Sequence, residues 1–424
     1  MEPLGLGIDL GSSGLRVALV TISGLIVERH ESSYPLPFSD AIGWKLGVVN
    51  LLQQLPKQLL KRVIAISIDG TSGTLLACDQ RGNPLAPALA YSCACVEHQA
   101  AIRALAPDHS SAASVSGSLA RALRLLDQLQ WEPHKPLPLL RHQADWLMGW
   151  LLGDWRWGEE GNNLRLGWDL INNHWAGKIA ETTWAKALPK IVRSGLKLGP
   201  LSDRASAALG IAKTCVVVSG STDANAMVLA ADPKPGDGIT VLGTTLVLKQ
   251  FNNSALHGVG ISNHRISGCW LVGGASNAGA GVLRQFFSDR QLQELSRQID
   301  PSRPSGLYYR PLPAPGDRFP IDDPNLEPIL EPRPISDALF LQGLLEGLSR
   351  IEKQGWQKLQ DLGANPIKRV LTLGGGARNQ QWRGIRELAL NLPVLNYGNR
   401  SAAAAMGLLA LRSVTLEPSA GPLP

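Results

Sequence analysis

The chain has 424 residues, 44% of them hydrophobic and 18% charged, which is too long for one ordinary core and fits a globular protein of two domains. Forty-one Lys and Arg against 35 Asp and Glu leave a net charge of +6, an anion preference without the dense basic run that nucleic-acid binding needs. Five cysteines, an odd number without zinc spacing, predict free thiols in a cytoplasmic setting, and no apolar stretch or leader points to a membrane.

Gly5 to Val20, GLGIDLGSSGLRVALV, predicts a β-hairpin closed by Gly11-Ser12-Ser13-Gly14. The glycines remove Cβ where the chain bends or a ligand comes close, and such a turn gathers backbone N–H groups into a concavity that suits phosphate. Asp9 at its mouth would repel phosphate unless a cation lay between them, which suggests magnesium. The same residues also suit a plain hairpin whose Asp and Ser satisfy the turn backbone. Leu25 to Ser33 predicts a strand and Val48 to Leu60 a helix. Val63 to Ile68 has the apolar, β-branched pattern of a buried parallel strand. It ends in Asp69-Gly70-Thr71-Ser72-Gly73-Thr74, a candidate ligand loop because ligands of open α/β sheets sit beyond strand carboxyl ends. Ser72 is the candidate sugar-hydroxyl contact there; turn chemistry alone is the alternative.

Residues 114–184 are expected to be helical and hold eight tryptophans, which fit core and lid packing better than a sugar platform. Val216 to Gly220 predicts a further buried strand, and Asp223 follows at the start of a helix. There it serves either as a first-turn acid or as a general base. Asp237 to Lys249, DGITVLGTTLVLK, repeats the opening strand, glycine-hydroxyl turn and strand, without an acid at the position of Asp9. Two such hairpins imply two similar domains facing one cleft. Trp270 to Gly281 leads from strand to a glycine-rich helix start. Residues 301–334, with ten prolines, predict an irregular surface segment, and Ile335 to Leu362 a long amphipathic helix. Val370 to Leu373 predicts a strand, and Gly374-Gly375-Gly376 lets backbone lie flat against a nucleotide base. Ala402 to Leu411 closes the chain as a helix before a tail expected to fray after Val414.

Taken together, GIDLGSSGLR at 7–16, GSTDANA at 220–226, VLGTTLVL at 241–248, GGASNAGAG at 273–281, PLPAPGDRFPIDDP at 311–324 and LTLGGGARNQQW at 371–382 resemble the FGGY carbohydrate kinases. IDGTSGTLLACD at 68–79, GGASNAGAGVLRQFF at 273–287 and FLQGLLEGLSRIE at 340–352 look closest to the short pentulose, ribulose kinase-like members. The resemblance implies an α/β fold of two ribonuclease-H-like (actin-like ATPase) domains facing a central cleft. Residues 1–229, joined by a C-terminal helix 403–424, would bind sugar, and 230–402 nucleotide. It further implies an ATP-dependent sugar kinase, a monomer or homodimer without nucleic-acid or membrane partners, with ATP and Mg²⁺ as cofactors. D-Ribulose is the first candidate substrate; xylulose, another ketose or polyol, or an actin- or chaperone-like ATPase without a sugar are the alternatives.

By the same resemblance Asp9 helps bind magnesium, and Gly11, Ser12 and Ser13 meet the transferred phosphate. Asp223 is the base, and Ser72 with Asp9 and Asp223 lines the sugar pocket. Gly243 and Thr244 hold the nucleotide's phosphates, and Gly375, Gly376, Asn379 and Trp382 border adenine. Two departures stand out. Ser12 replaces the usual threonine, and Ala90 to Glu97 lacks the acid of the Trp-x-Asp-x-Arg sugar-recognition segment found in many relatives.

Overall fold

The structure is a computed structural model that describes residues 2–107, 110–397 and 401–416. The chain divides into two units, one of Met1–Ala230, Arg265–Gly268 and Ser401–Leu423, the other of Ala231–His264 and Cys269–Arg400.

In the first unit β1 (Leu4–Leu10), β2 (Leu15–Val20) and β3 (Ile26–Ser32) run antiparallel in succession, and β4 (Val63–Gly70) pairs with β1 in parallel. Two shorter elements lie outside this sheet, β5 (Leu75–Cys78) and β6 (Leu139–His142), which pair with each other. β7 (Lys197–Pro200) and β8 (Val216–Val218) extend the main sheet to the order β7-β8-β4-β1-β2-β3, and β9 (Ser221–Thr222) also joins β4. β1 is buried along its whole length and β4 everywhere but Ile64, because helices cover both faces.

The second unit repeats this plan. β10 (Asp237–Leu242), β11 (Leu246–Asn252), β12 (Ile261–Ile266), β13 (Cys269–Ser276), β14 (Arg369–Leu373) and β15 (Val394–Asn396) form a sheet in the order β12-β13-β11-β10-β14-β15. As in the first unit, two antiparallel partners lie on one side of an inner strand, here β11 and then β13 beside β10 with β12 outermost, and a parallel pair, β14 and β15, continues on its other side. The duplication read from two hairpins therefore extends to whole sheets, in the fold class of the actin-like kinases.

Helix boundaries follow caps more than composition. The helix expected over Val48 to Leu60 is instead α1, Ala41–Gln53, started by Asp40, whose side chain accepts from the Ile42 N–H. Such a cap stabilises a helix by about 1 kcal/mol. Pro56 then begins a separate turn, Lys57–Leu60, because its ring cannot continue α1. Residues 114–184 hold only α2 (Ser118–Gln128) and α3 (Gln143–Leu152) as helices longer than one turn. Beyond them, Gly153, Gly167 and Gly177 at φ +69°, +117° and +56° break the chain into short turns and bridges. The tryptophans do pack as core: Trp146 and Trp184 are buried in two large hydrophobic clusters of this unit, with Trp131, Trp150, Trp155, Trp157 and Trp175 against them.

α4 (Asp223–Ala230) follows β9, and α5 (Asp337–Asp361), capped by Ser336, matches its amphipathic pattern. The proline-rich stretch 301–334 is irregular as expected but is not confined to the surface. Phe319, Tyr309 and Leu312 plug the second unit's core, and the buried Asp317 accepts from Ser276 Oγ and the Asn277 N–H.

After α6 (Gln380–Leu390), the chain returns to the first unit as α7 (Ala402–Thr415). The expected C-terminal helix 403–424 thus ends at Thr415, and residues 417–424, including the tail, lie outside the described residues. α7 lies directly on β1: a Cβ at Gly5 would stand 2.1 Å from the Gly407 carbonyl oxygen, and one at Gly7 would stand 1.7 Å from that of Ala403. Only glycine permits so close a helix-on-strand approach.

Candidate active site

Strand register assembles the site of the first unit. In the parallel pairing Asp9 lies opposite Asp69, and Asp69 opposite Ser221, two residues before Asp223. Three carboxylates from the ends of β1, β4 and β9 thus gather where an α/β sheet presents its ligands. Asp9 is 7% exposed, and one of its oxygens accepts from Arg16 Nη1 at 3.1 Å. Asp69 is fully buried, with no donor on either oxygen. Burial, then the charges of Asp9 and Asp223, push its carboxyl well above the usual range.

Asp223 is half-buried at the head of α4, and its Oδ1 accepts from the Ala224 N–H at 2.7 Å. Burial foremost, reinforced by Asp9, raises it too, while backbone donors including that of Ser72 oppose the rise. Asp223 and Ser72 are therefore neighbours, as the two sugar-pocket assignments require of each other.

Gly11, Ser12 and Ser13 form the β1–β2 turn with both serines exposed. Tyr34 OH donates to the Gly11 carbonyl at 2.7 Å, and Gln143 Nε2 donates to Tyr34 OH at 3.3 Å. Gln143 Oε1 accepts from Thr71 N and Oγ1. One glutamine at the head of α3 thus ties the phosphate-type turn to the Ser72 loop. The same loop is held from its other side by Arg121, which is 0% exposed and bonded only to carbonyls: Gly73 at 2.8 Å, Tyr91 at 3.1 Å, Cys93 at 2.7 Å and Ser116 at 3.1 Å. Burial lowers its pKa to about 10, so it stays charged at neutral pH. Arg121 joins the Ser72 loop to the 90–97 segment that departs from the family pattern. Within that segment, Glu97 is spent on Arg124 at 2.6 and 2.7 Å. Arg121→Met leaves four carbonyls short of a donor and is expected to cost about 3 kcal/mol or more, read by urea unfolding. Arg121→Lys should recover part of the loss, and an unchanged midpoint in the Met variant would dismiss the clamp.

Another buried acid of this unit is Glu159, 1% exposed, whose Oε2 accepts from the Asn162 N–H while Oε1 has no hydrogen-bond partner. Burial raises it well above the usual carboxylate range. A raised folded-state pKa contributes stability below the unfolded value, about pH 4.3, and loses it as pH rises through the folded value. Glu159→Gln is accordingly expected to raise the thermal midpoint at pH 8 and leave it unchanged at pH 4. An equal shift at both pH values would contradict that charge state.

In the second unit Gly243 and Thr244 form the β10–β11 turn, with Thr244 exposed. Their carbonyls accept from the Ala280 and Gly281 N–H groups at 2.9 and 3.1 Å, so the GGASNAGAG stretch braces the turn from behind. Gly374 has φ +85°, and a Cβ there would meet the Leu242 carbonyl oxygen at 2.6 Å. A Cβ on Gly375 would meet nothing within 4 Å, so this residue offers bare backbone to a ligand. The structure places Asn379 and Trp382 behind that face. Asn379 caps α6 by accepting from the Trp382 N–H, and Trp382 is 2% exposed, with its ring against Gly376.

Sequence reasoning singled out Asp9, Ser72 and Asp223 but passed over Asp69, Arg121, Gln143 and Tyr34. A charge at the end of an otherwise apolar strand was the available signal for Asp69. An arginine on the apolar face of SLARALRLLDQ was the signal for Arg121.

The carboxylate cluster, one arginine and the orphaned oxygens of Asp69 fit a hard divalent cation. Among the described residues no group of three His, Cys, Asp or Glu forms a metal cage. Magnesium commonly takes one or two carboxylates and completes its shell with phosphate oxygens and water, so a partial protein shell suits it.

Over 431 aligned residues the chain is 24% identical to L-fuculokinase of Escherichia coli strain K12, covering 91% of this chain and 87% of that one. It is 22% identical to xylulose kinase of Staphylococcus xylosus, covering 92% and 86%. Among solved structures, Plasmodium falciparum glycerol kinase with ADP superposes with a TM-score of 0.82 at 15% identity over 99% of this chain and 91% of that one. Xylulose kinase of Rhodospirillum rubrum does so with 0.79 at 20% identity over 97% and 90%. None of the described helices is long and apolar enough to cross a membrane. Residues 236–416 match the C-terminal domain of the FGGY family of carbohydrate kinases.

Proposed function

We propose that this sugar kinase transfers the terminal phosphoryl group of ATP to a terminal hydroxyl of a pentulose, D-ribulose first, giving D-ribulose 5-phosphate and ADP. The observation that carries the reading is Asp223, half-buried, its carboxyl raised by that burial and adjacent to Ser72, beside a hydroxyl-rich turn that Asp9 borders. Asp223 takes the proton of the sugar hydroxyl as its oxygen bonds to phosphorus and the bond to the ADP oxygen breaks. Raising a carboxylate's pKa increases its affinity for the proton it takes. Ser12 and Ser13 with the turn's N–H groups receive the transferred phosphoryl, and Ser72 holds the sugar.

Asp9, next to Asp69, would hold magnesium, which supplies charge neutralisation on the phosphates. Gly243 and Thr244 receive the nucleotide's phosphates, and Gly375 with Gly376 lies along adenine. Asn379 and Trp382 act on that surface by fixing its turn from behind. The preference for a pentulose rests on the 90–97 segment. Its carbonyls at Tyr91 and Cys93 and its carboxylate at Glu97 are engaged by Arg121 and Arg124 instead of offering an acid to a sugar.

The test is coupled ADP release over D-ribulose, D-xylulose, L-fuculose, hexuloses, glycerol and no sugar. The highest kcat/KM is expected with D-ribulose. A higher value with another acceptor replaces the sugar assignment, and turnover indifferent to every sugar replaces the kinase reading with an ATPase.

A further inference from the structure

On the first unit, away from the three carboxylates, the turn after α3, strand β6 and the 186–190 stretch enclose a cavity of about 370 Å³. That is within the range of about 300–1,000 Å³ typical of small-ligand sites. Its walls carry Arg141, Arg156, Lys186 and Lys190 against one carboxylate, Asp154. Asp154 is already engaged by Arg156 Nε at 2.6 Å.

Arg141 makes this more than a patch of surface charge. It is 1% exposed, and its Nε and Nη1 donate only to the carbonyls of Trp155, Leu140 and Ala187. Nη2 makes none of these bonds, and among the described residues no carboxylate pairs with this guanidinium. Burial lowers its pKa to about 10, which still leaves it charged at neutral pH. A buried cation on which the nearest carboxylates, Asp145 and Asp154, act only from beyond ion-pair distance is costly, and an anion in the adjoining cavity relieves that cost. Lys186 and Lys190 are exposed at the rim and form no ion pair among the described residues. Lys190 and Arg156 flank the Trp157 ring at 5.2 and 5.4 Å, which holds both heads near the opening.

We propose that this cavity is a second, non-catalytic site that binds the phosphate group of a small phosphorylated metabolite. Phosphate fits the chemistry because Arg141 Nη2 and the terminal nitrogens of Arg156 can each donate to one of its oxygens, while lysines at the rim supply point charges and steering. Trp155 in the wall gives an organic portion an apolar surface that inorganic phosphate would not use.

The test is calorimetric titration of the full chain, without nucleotide, with inorganic phosphate and with ribulose 5-phosphate. Each is repeated on Lys186→Glu/Lys190→Glu, whose exposed positions leave folding intact by circular dichroism. Both ligands are expected to bind the wild type, and the double variant to lose about tenfold or more in affinity for the rim-dependent step. Its sugar-dependent turnover in phosphate-free buffer should match the wild type. Tighter binding of the sugar phosphate than of phosphate supports a metabolite site, and equal binding a site for the phosphate group alone. Identical titrations for wild type and double variant, or no heat up to about 10 mM ligand, would overturn the site. Ribulose 5-phosphate is also the product of the proposed reaction, so only the binding that the double variant loses is assigned to this cavity, and the inorganic phosphate arm reads it independently of the kinase reading.

Discussion

Asp223→Asn is expected to lower sugar-dependent ADP release by about 10²–10⁴-fold, the usual contribution of a positioned general base. Asparagine keeps the side chain's shape and can still accept from the Ala224 N–H that fixes the present rotamer. What disappears is the only oxygen at this position able to take a proton. ATP affinity should be unchanged, since Gly243, Thr244 and Gly375 belong to the other unit. Calorimetric titration of a non-hydrolysable ATP analogue, run beside the coupled assay, separates the two effects. Turnover near the wild-type rate would remove Asp223 from the base role, and a parallel loss of nucleotide affinity would point to general disruption.

Arg386→Met is expected to have the largest effect on stability. Arg386 and Glu352 are 1% and 0% exposed, and they pair through Nε–Oε2 at 2.6 Å and Nη2–Oε1 at 2.7 Å. Thr240 Oγ1 donates to the same Oε1 at 2.6 Å, and Arg386 Nη1 donates to Thr372 Oγ1 at 2.6 Å. The network ties α5 and α6 to β10 and β14, the strands that carry the second unit's glycine turns. Removing the guanidinium strands a carboxylate in the core, which costs about 3–5 kcal/mol. Glu352→Gln/Arg386→Met removes both charges and should regain a large part of that loss. Urea unfolding followed by tryptophan fluorescence checks both variants. A single-variant loss below about 1 kcal/mol would mean that water reaches the pair after all.

The hairpins were legible in the sequence because glycine and hydroxyl residues between apolar runs leave few other conformations. For the same reason the Gly11–Ser13 and Gly243–Thr244 turns could be named before any coordinates. The helix at 41–53 was misplaced because its start depends on Asp40 bonding to Ile42 N, a single contact that hydrophobic content does not reveal. Residues 153–184 read as helical from apolar and tryptophan content, yet left-handed glycines and Asn173 at φ +55° govern the backbone there. Asp69 escaped notice for a different reason. Its burial and its missing donors exist only once β4 lies between β1 and β9, partners that come from residues 4–10 and 221–222. Arg121 likewise acquires its role from carbonyls at 73, 91, 93 and 116. Local residues specified the turns, whereas the charged groups that support them became visible only through contacts distant in sequence.

The seating of α7 on the glycines of β1 also has a consequence for biosynthesis. The sheet of the first unit is complete once residue 222 has been made, but its cover comes from residues 402–415, after the entire second unit. Throughout the synthesis of some 180 intervening residues, the groove over Gly5 and Gly7 stays open on the nascent chain. The carboxylate cluster at the end of β1 therefore gains its final support only after the second unit has been made. This order of manufacture keeps an early fragment from displaying the fully supported carboxylate cluster, and it leaves apolar surface of the growing chain uncovered until α7 docks.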